Sequence, residues 1–298
     1  MNLIALLLGL AIERLLTHLF HLREFRWLDP FFDRVFGVAA PLPRPLMFAA
    51  ILLALCLLVL PVVVAGAILD EALFRLLYFA FAIIVLLFSL GPRDLKEEAD
   101  EYRLALEGGD PQRIRNLAKE LLETDPPDDP VARDQAVERA VFVQANNRIF
   151  GVLFWFLLLG PAGAWLFRVI DLMRRRAAYR CPPEDAAGGQ LRAAVQAVHA
   201  ALAWIPARLL AVSYALAGSF EEAIADWRAY YQNCAERFFD INNDVLACAG
   251  SAAAGRAGDR CELRPGAPVA AAMDLVLRSL WLIWCPAIAV LTLYDLVS

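Results

Sequence analysis

Arg208 stands two residues after Pro206 in an otherwise apolar stretch, "LAWIPARLLAVSYALAG" (202–218). An arginine at bilayer depth costs roughly 2.5–3.5 kcal/mol to insert, and each Leu or Ile returns only about 0.3–0.6 kcal/mol. Such a cation persists where it is paired or wet. Arg208 therefore reads in two ways: as the partner of an acid, of carbonyls or of an anionic ligand, or as a side chain snorkelling to headgroups from a helix end. The opening stretch, "MNLIALLLGLAIERLLTHLF", carries Glu13, Arg14 and His18. Adjacent helical residues point about 100° apart, so Glu13 and Arg14 do not pair with each other. His18 roughly shares a face with Arg14. The three form either a polar stripe facing a bundle interior or the interfacial end of the helix.

Further along, Asp94, Glu98 and Glu101 fall at i, i+4 and i+7, and Glu97 faces Arg93 and Glu101. Three acids on one helical face could hold Mg²⁺ with waters; the same stripe also suits a solvated face. "QANNR" (144–148) sets Asn146, Asn147 and Arg148 just before an apolar run, at the mouth of a membrane cavity. Arg168 and Asp171 mark the other end of that run at a spacing that allows pairing. His199, alone on an apolar helix, reads as a satisfied structural group. The candidate ligand-binding residues are thus Glu13, Arg14, Arg93, Asp94, Glu98, Asn146, Asn147, Arg148, Arg168, Asp171 and Arg208, with Asp94, Glu98 and Glu101 as weak metal candidates. No nucleophile–base pair stands out, so no residue is assigned a catalytic role. The phosphate-loop, dinucleotide-fold, nucleophile-elbow and zinc-protease motifs are absent. The cysteines, Cys56, Cys181, Cys234, Cys248, Cys261 and Cys285, form no C-x-x-C pair and read as small hydrophobes rather than a zinc site.

The elements that must carry these side chains follow from hydropathy. The chain has 298 residues, 60% of them hydrophobic, with a mean hydropathy of +0.53. The excess over a soluble domain is concentrated in long apolar runs, the signature of membrane spans. The net charge of −5 implies no large cationic surface and argues against a nucleic-acid partner. The reading is an all-α, polytopic membrane helical bundle with two mainly helical cytoplasmic insertions, in five segments. Residues 1–91 hold N-terminal membrane helices (spans 2–20, 46–69 and 72–91) with an interfacial segment at 21–45. Residues 92–148 are a polar helical insertion, 149–217 membrane or re-entrant helices, 218–274 a second polar helical insertion, and 275–298 a C-terminal membrane helix.

Local signals sharpen this. The start lacks a basic region and a small-residue cleavage site, so it reads as a retained helix. "PLPRP" (41–45) reads as an extended connection. Gly108-Gly109 stops one polar helix, and Asp110-Pro111 caps and starts the next. Periodicity in 219–262 is interrupted around "NND", and "GSAAAGRAGDR" reads as a loop. If 2–20, 46–69, 72–91 and 149–169 each cross once, the positive-inside rule conflicts with the Arg174–Arg176 cluster. A broken, protein-buried helix at Pro206 and Arg208 would resolve that conflict.

"FWFLLLGPAGAWLFR" (154–168) and "WIPARL" (204–209) resemble motifs shared by two related membrane families. One is AmpE, the inner-membrane regulatory protein of β-lactamase induction; the other is the CobD/CbiB group, which attaches aminopropanol to adenosylcobyric acid in cobalamin synthesis. "LIALLLGLAIERLL", "GPRDL" and "EGGDPQRIRNLAKELL" also resemble AmpE stretches, so the likeness spans nearly the whole chain. The cobalamin group has acids where "VQANNRIF" has none, Asn147 standing where its Asp would be. It also has acids before its I-P-A-R-L, where His199 and Ala200 stand here, and "LLETD" replaces its G-R-D signature. The resemblance therefore favours the regulatory branch. It implies a multi-pass protein of the bacterial inner membrane, non-catalytic, acting in antibiotic response and peptidoglycan recycling. It also implies partners in the lipid bilayer, the AmpD amidase pathway and an anionic small molecule or lipid, while ATP with Mg²⁺ is a family suggestion. An active synthase of the CobD/CbiB kind is the alternative.

Overall fold

The computed structural model describes residues 25–69, 75–90, 94–181, 186–219, 241–255 and 265–297. Glu13, Arg14, His18 and Arg93, together with the expected span 2–20, lie outside them. Among the described residues the regular structure is entirely helical. Among the described residues four helices are long and apolar enough to cross a membrane: Arg44–Leu69, Pro130–Arg180, Ala187–Ala217 and Ala267–Leu291. The chain divides into two compact units, residues 1–92 with 151–203, and residues 93–150 with 204–298.

The first unit contains α1 (Asp29–Ala39), α2 (Arg44–Leu69), α3 (Arg75–Ser89), α7 (Gly151–Arg180) and the first part of α8 (Ala186–Ala217). α1 turns Phe32, Phe36 and Ala39 into a core with Met47 and Ile51 of α2 and Val169, Ile170 and Met173 of α7. Phe25 packs edge-on against Trp165, with ring centroids 5.3 Å apart. Arg44 and Pro45, read above as the end of an extended connection, form the first turn of α2. Proline suits that position because its missing N–H has no helical partner there.

Two tryptophans of α7 donate to backbone carbonyls of proline-bearing helices, and in α8 that carbonyl is the one the proline frees. Pro61 lies inside α2, and the indole N–H of Trp165 donates to the Leu58 carbonyl at 3.0 Å. Pro206 lies inside α8, and the indole N–H of Trp155 donates to the Leu202 carbonyl at 3.0 Å. Leu202 is four residues before Pro206, the position whose carbonyl a proline leaves without a donor. α8 is consequently a continuous helix through Pro206, which corrects the expectation of a break there. The break is in α7: Gly160 has φ 67° and ψ −153°, and Pro161 follows. A Cβ at Gly163 would fall 2.2 Å from the Trp155 carbonyl oxygen, so the backbone folds back tightly after the kink.

The second unit contains α4 (Leu95–Gly108), α5 (Pro111–Leu122), α6 (Pro130–Ala145), α9 (Ile241–Ala253), α10 (Ala267–Arg278) and α11 (Cys285–Val297). α6 and α10 are each extended by a π-helical turn, Asn146–Phe150 and Ser279–Trp284. Gly109 ends α4 at φ 69°, and the Asp110 side chain caps α5 over the N–H groups of Gln112 and Arg113. The Phe142 ring sits where a Cβ on Gly250 would be, 2.4 Å away. "NND" (242–244) lies within α9, which continues through Ala253, and the stretch before it, 220–240, lies outside the described residues. The expected loop at 250–260 is helical over its first residues, since α9 runs through Ala253, and its residues 256–260 lie outside the described residues.

Candidate functional site

Polar centres are described in both units. In the first, the Asp171 carboxylate is fully buried and receives three guanidinium groups: Arg168 at 3.2 Å, Arg174 at 2.9 Å and Arg175 at 3.0 Å. His199 Nε2 lies 3.9 Å from the same carboxylate, and its ring packs against Phe167 with centroids 5.6 Å apart. A helix brings them together: Arg168, Arg174 and Arg175 stand three or four residues from Asp171 in α7 and so share its face. Arg176 points elsewhere and grips α1, with Nε and Nη2 on the two Asp33 oxygens at 2.9 and 2.6 Å and Nη1 on Asp29 at 3.2 Å. That fork–fork geometry is the strong form of a charge-assisted pair. The Arg176 guanidinium holds the Asp33 carboxyl below its ordinary range. The basic cluster that conflicted with the charge rule is thus matched by acids within its own unit.

In the second unit, Arg148 of the π-helical turn donates to Glu98 of α4 at 2.7 Å and to Gln144 at 3.2 Å. Glu98 is 7% exposed and Arg148 4%. Gln144 in turn donates to the Leu121 carbonyl at 3.3 Å, which links α6 to α5. Desolvating two charges is tolerated only where they meet each other and further hydrogen bonds, and this network provides both. Asn146 and Asn147, also buried, each have an amide oxygen with no hydrogen-bond partner among the described residues. A π-helical turn often accompanies functional sites, and here it carries Asn146, Asn147 and Arg148 together.

Arg208 is half-buried in the same unit. Its Nη1 donates to the Trp204 carbonyl at 3.2 Å and to the Asn242 amide oxygen, and its guanidinium lies 4.6 Å over the Trp204 ring. Its partners among the described residues are neutral acceptors and a π face; no carboxylate meets it there.

The predicted residues are therefore sorted by the fold. Glu98 is joined to Arg148, and Arg168 to Asp171. Asp94 is exposed and caps α4 by accepting from the Lys96 N–H at 3.0 Å. Glu101 is exposed, and Glu98 is turned to Arg148, so the three acids do not converge. Among the described residues no three His, Cys, Asp or Glu side chains are placed to hold a metal ion. Sequence reading missed the Asp171 partners Arg174, Arg175 and His199, although the i, i+3 and i+4 spacing of the arginines was available as a signal.

Against this geometry, the profile of the family described as "Regulatory signalling modulator protein AmpE" matches residues 1–296. The chain belongs to the AmpE family. It is a membrane regulatory protein by that membership and by its apolar helices. The chain is also similar to two curated proteins called "Cobalamin biosynthesis protein CobD". One, from Chromobacterium violaceum, is 29% identical over 181 residues, 60% of this chain and 55% of the relative. The other, from Stutzerimonas stutzeri, is 30% identical over 178 residues, 58% of this chain and 55% of the relative. The match thus spans little more than half the length of those relatives. No solved structure gives a significant match.

Proposed function

We propose that this AmpE-family chain is a multi-pass protein of the bacterial inner membrane that modulates β-lactamase induction and muropeptide recycling by binding an anionic ligand, with Arg208 as the receiving cation. The supporting observation is the Arg208 environment: a half-buried guanidinium whose described partners are the Trp204 carbonyl, the Asn242 amide and the Trp204 ring. Neutral acceptors orient the cation, and among the described residues no carboxylate compensates its charge, an arrangement that favours an incoming anion. In this reading the protein acts beside the AmpD amidase pathway, and its ligand is a cell-wall fragment or a lipid phosphate. Arg208→Ala and Arg208→Lys test it together. Inducible resistance should fall in Arg208→Ala at unchanged protein level, with partial recovery in Arg208→Lys. Unchanged induction in both variants rejects the reading. Thermal unfolding with a panel of muropeptides, nucleotides and prenyl phosphates would identify the ligand class.

The similarity to the two CobD proteins favours one second reading, a retained cobalamin-biosynthetic activity that uses Mg-ATP. Incubating purified protein with adenosylcobyric acid, aminopropanol phosphate and Mg-ATP separates the two readings, because turnover would establish an enzyme.

A further inference from the structure

The first unit contains a cavity of about 350 Å³ lined by Phe25, Asp29, Phe32, Leu172, Arg175, Arg176 and Tyr179. That volume is at the lower end for small-molecule sites, roughly 300–1,000 Å³. Its lining is divided by chemistry. Phe25, Phe32 and Leu172 supply apolar surface, whereas Arg175, Arg176 and Tyr179 supply donors. Arg176 uses three N–H groups on Asp29 and Asp33. A guanidinium has five, so two remain for a further acceptor. The guanidinium also lies 5.7 Å from the centroid of the Tyr179 ring, and Tyr179 is 81% exposed. Asp29 is the one acid of the lining, and one of its oxygens accepts from Arg176.

The position in the chain matters as much as the lining. The apolar run of α7 ends at Arg168, so residues 172–179 lie just beyond it, where arginines and an exposed tyrosine suit a membrane–water boundary. α1 contributes the opposite wall and exposes Val38 at 66%, and Trp27 just before it is 66% exposed. An amphiphile at that depth presents its phosphate to the arginines and its first carbons to the phenylalanines.

We infer that this cavity binds the phosphate headgroup of a membrane lipid, with Arg175, Arg176 and Tyr179 on the phosphate and Phe25, Phe32 and Leu172 on the adjoining acyl or prenyl carbons. Arginine forks match phosphate oxygens in shape as well as charge. The inference is independent of the Arg208 reading, since it uses neither that residue nor its unit.

The test is thermal unfolding and native mass spectrometry of the full-length protein in detergent. The probes are phosphatidylglycerol, a polyprenyl monophosphate, diacylglycerol and inorganic phosphate. Both phosphate-headed lipids should raise the melting temperature and persist as bound adducts, while diacylglycerol and inorganic phosphate at equal concentration should not. Leu172→Trp, which fills the cavity and keeps every charge, should weaken lipid binding at least about tenfold. Arg175→Gln, which leaves Asp171 with Arg168 and Arg174, should do the same. Stabilisation by diacylglycerol to the same extent, or by inorganic phosphate alone, overturns the inference. So does undiminished lipid binding in either variant that retains its lipid-free melting temperature. If both variants lose that temperature, Tyr179→Phe at an exposed side chain decides: weaker lipid binding supports the inference, and unchanged binding rejects it.

Discussion

The indole N–H of Trp155 donates to the carbonyl of Leu202, the carbonyl that Pro206 deprives of its helical donor. A proline inside a membrane helix is tolerated where a neighbour re-satisfies the freed group, and here the neighbour is a tryptophan nearly fifty residues earlier. Trp155→Phe keeps most of the ring volume and removes the donor. It should destabilise the protein by about 1–3 kcal/mol, the cost of a buried acceptor left unpaired. Pro206→Ala restores an N–H to the helix, so in that background Trp155→Phe should cost much less. Equilibrium unfolding of the two single variants and the double variant, in detergent, measures the coupling. Additive effects would show that the two residues act independently.

Glu98 and Arg148 form the second predicted cycle. Removing one member of a buried pair leaves an uncompensated charge, at a cost of roughly 3–5 kcal/mol. Glu98→Leu and Arg148→Met should each destabilise on that scale, and the double variant should be considerably more stable than their sum predicts. Chemical denaturation of the four proteins gives the coupling energy directly.

These two relationships also mark where the sequence is transparent and where it is not. Features set within a few residues were readable: the Asp110 cap with Pro111, the Gly109 stop, and the Arg168–Asp171 pair at i, i+3. Each depends on local geometry alone. Glu98 was read among acids on one helical face, yet its guanidinium partner is fifty residues away, and one-dimensional spacing does not report such pairs. Pro206 was read as a break because local chemistry permits one; a tertiary donor reversed the outcome. The actual break, at Gly160-Pro161, lay in a quoted motif. Its cause is a glycine in a conformation that side chains avoid, next to a residue without an N–H. The π-helical turns left no periodic signal, since each adds a single wide turn to an otherwise regular helix.

Gly163 gives a prediction of a different kind. A Cβ there would meet the Trp155 carbonyl oxygen at 2.2 Å and the Leu159 Cβ at 2.7 Å. Neither is the end of a flexible side chain, so Gly163→Ala must displace backbone. Overpacking of this type costs about 1–3 kcal/mol or more. The Trp155 indole would move with its backbone, so a loss of stability in Gly163→Ala should be smaller in a Trp155→Phe background. Melting temperatures of the single and double variants test this.

Tyr102 supplies the pH-dependent prediction. Its hydroxyl donates to Asp134 Oδ1 at 2.5 Å, while Asp134 Oδ2 accepts the Gly266 N–H at 3.2 Å, so one carboxylate ties α4, α6 and the start of α10. Burial, and then the Asp134 carboxylate, push the phenol well above its ordinary value of 10.0. The folded state therefore retains the phenolic proton at pH values where the unfolded chain loses it. The resulting stability is fully present below about pH 10 and declines as the pH rises further, by at most about 1.4 kcal/mol per pH unit for one proton. Tyr102→Phe should cost roughly 1–3 kcal/mol at neutral pH, since Asp134 loses a donor. The gap between wild type and variant should narrow above pH 10. Stability curves for both proteins from pH 7 to 11 check the sign: a gap that stays constant or widens would show that the phenol ionises at least as readily in the fold as in the unfolded chain.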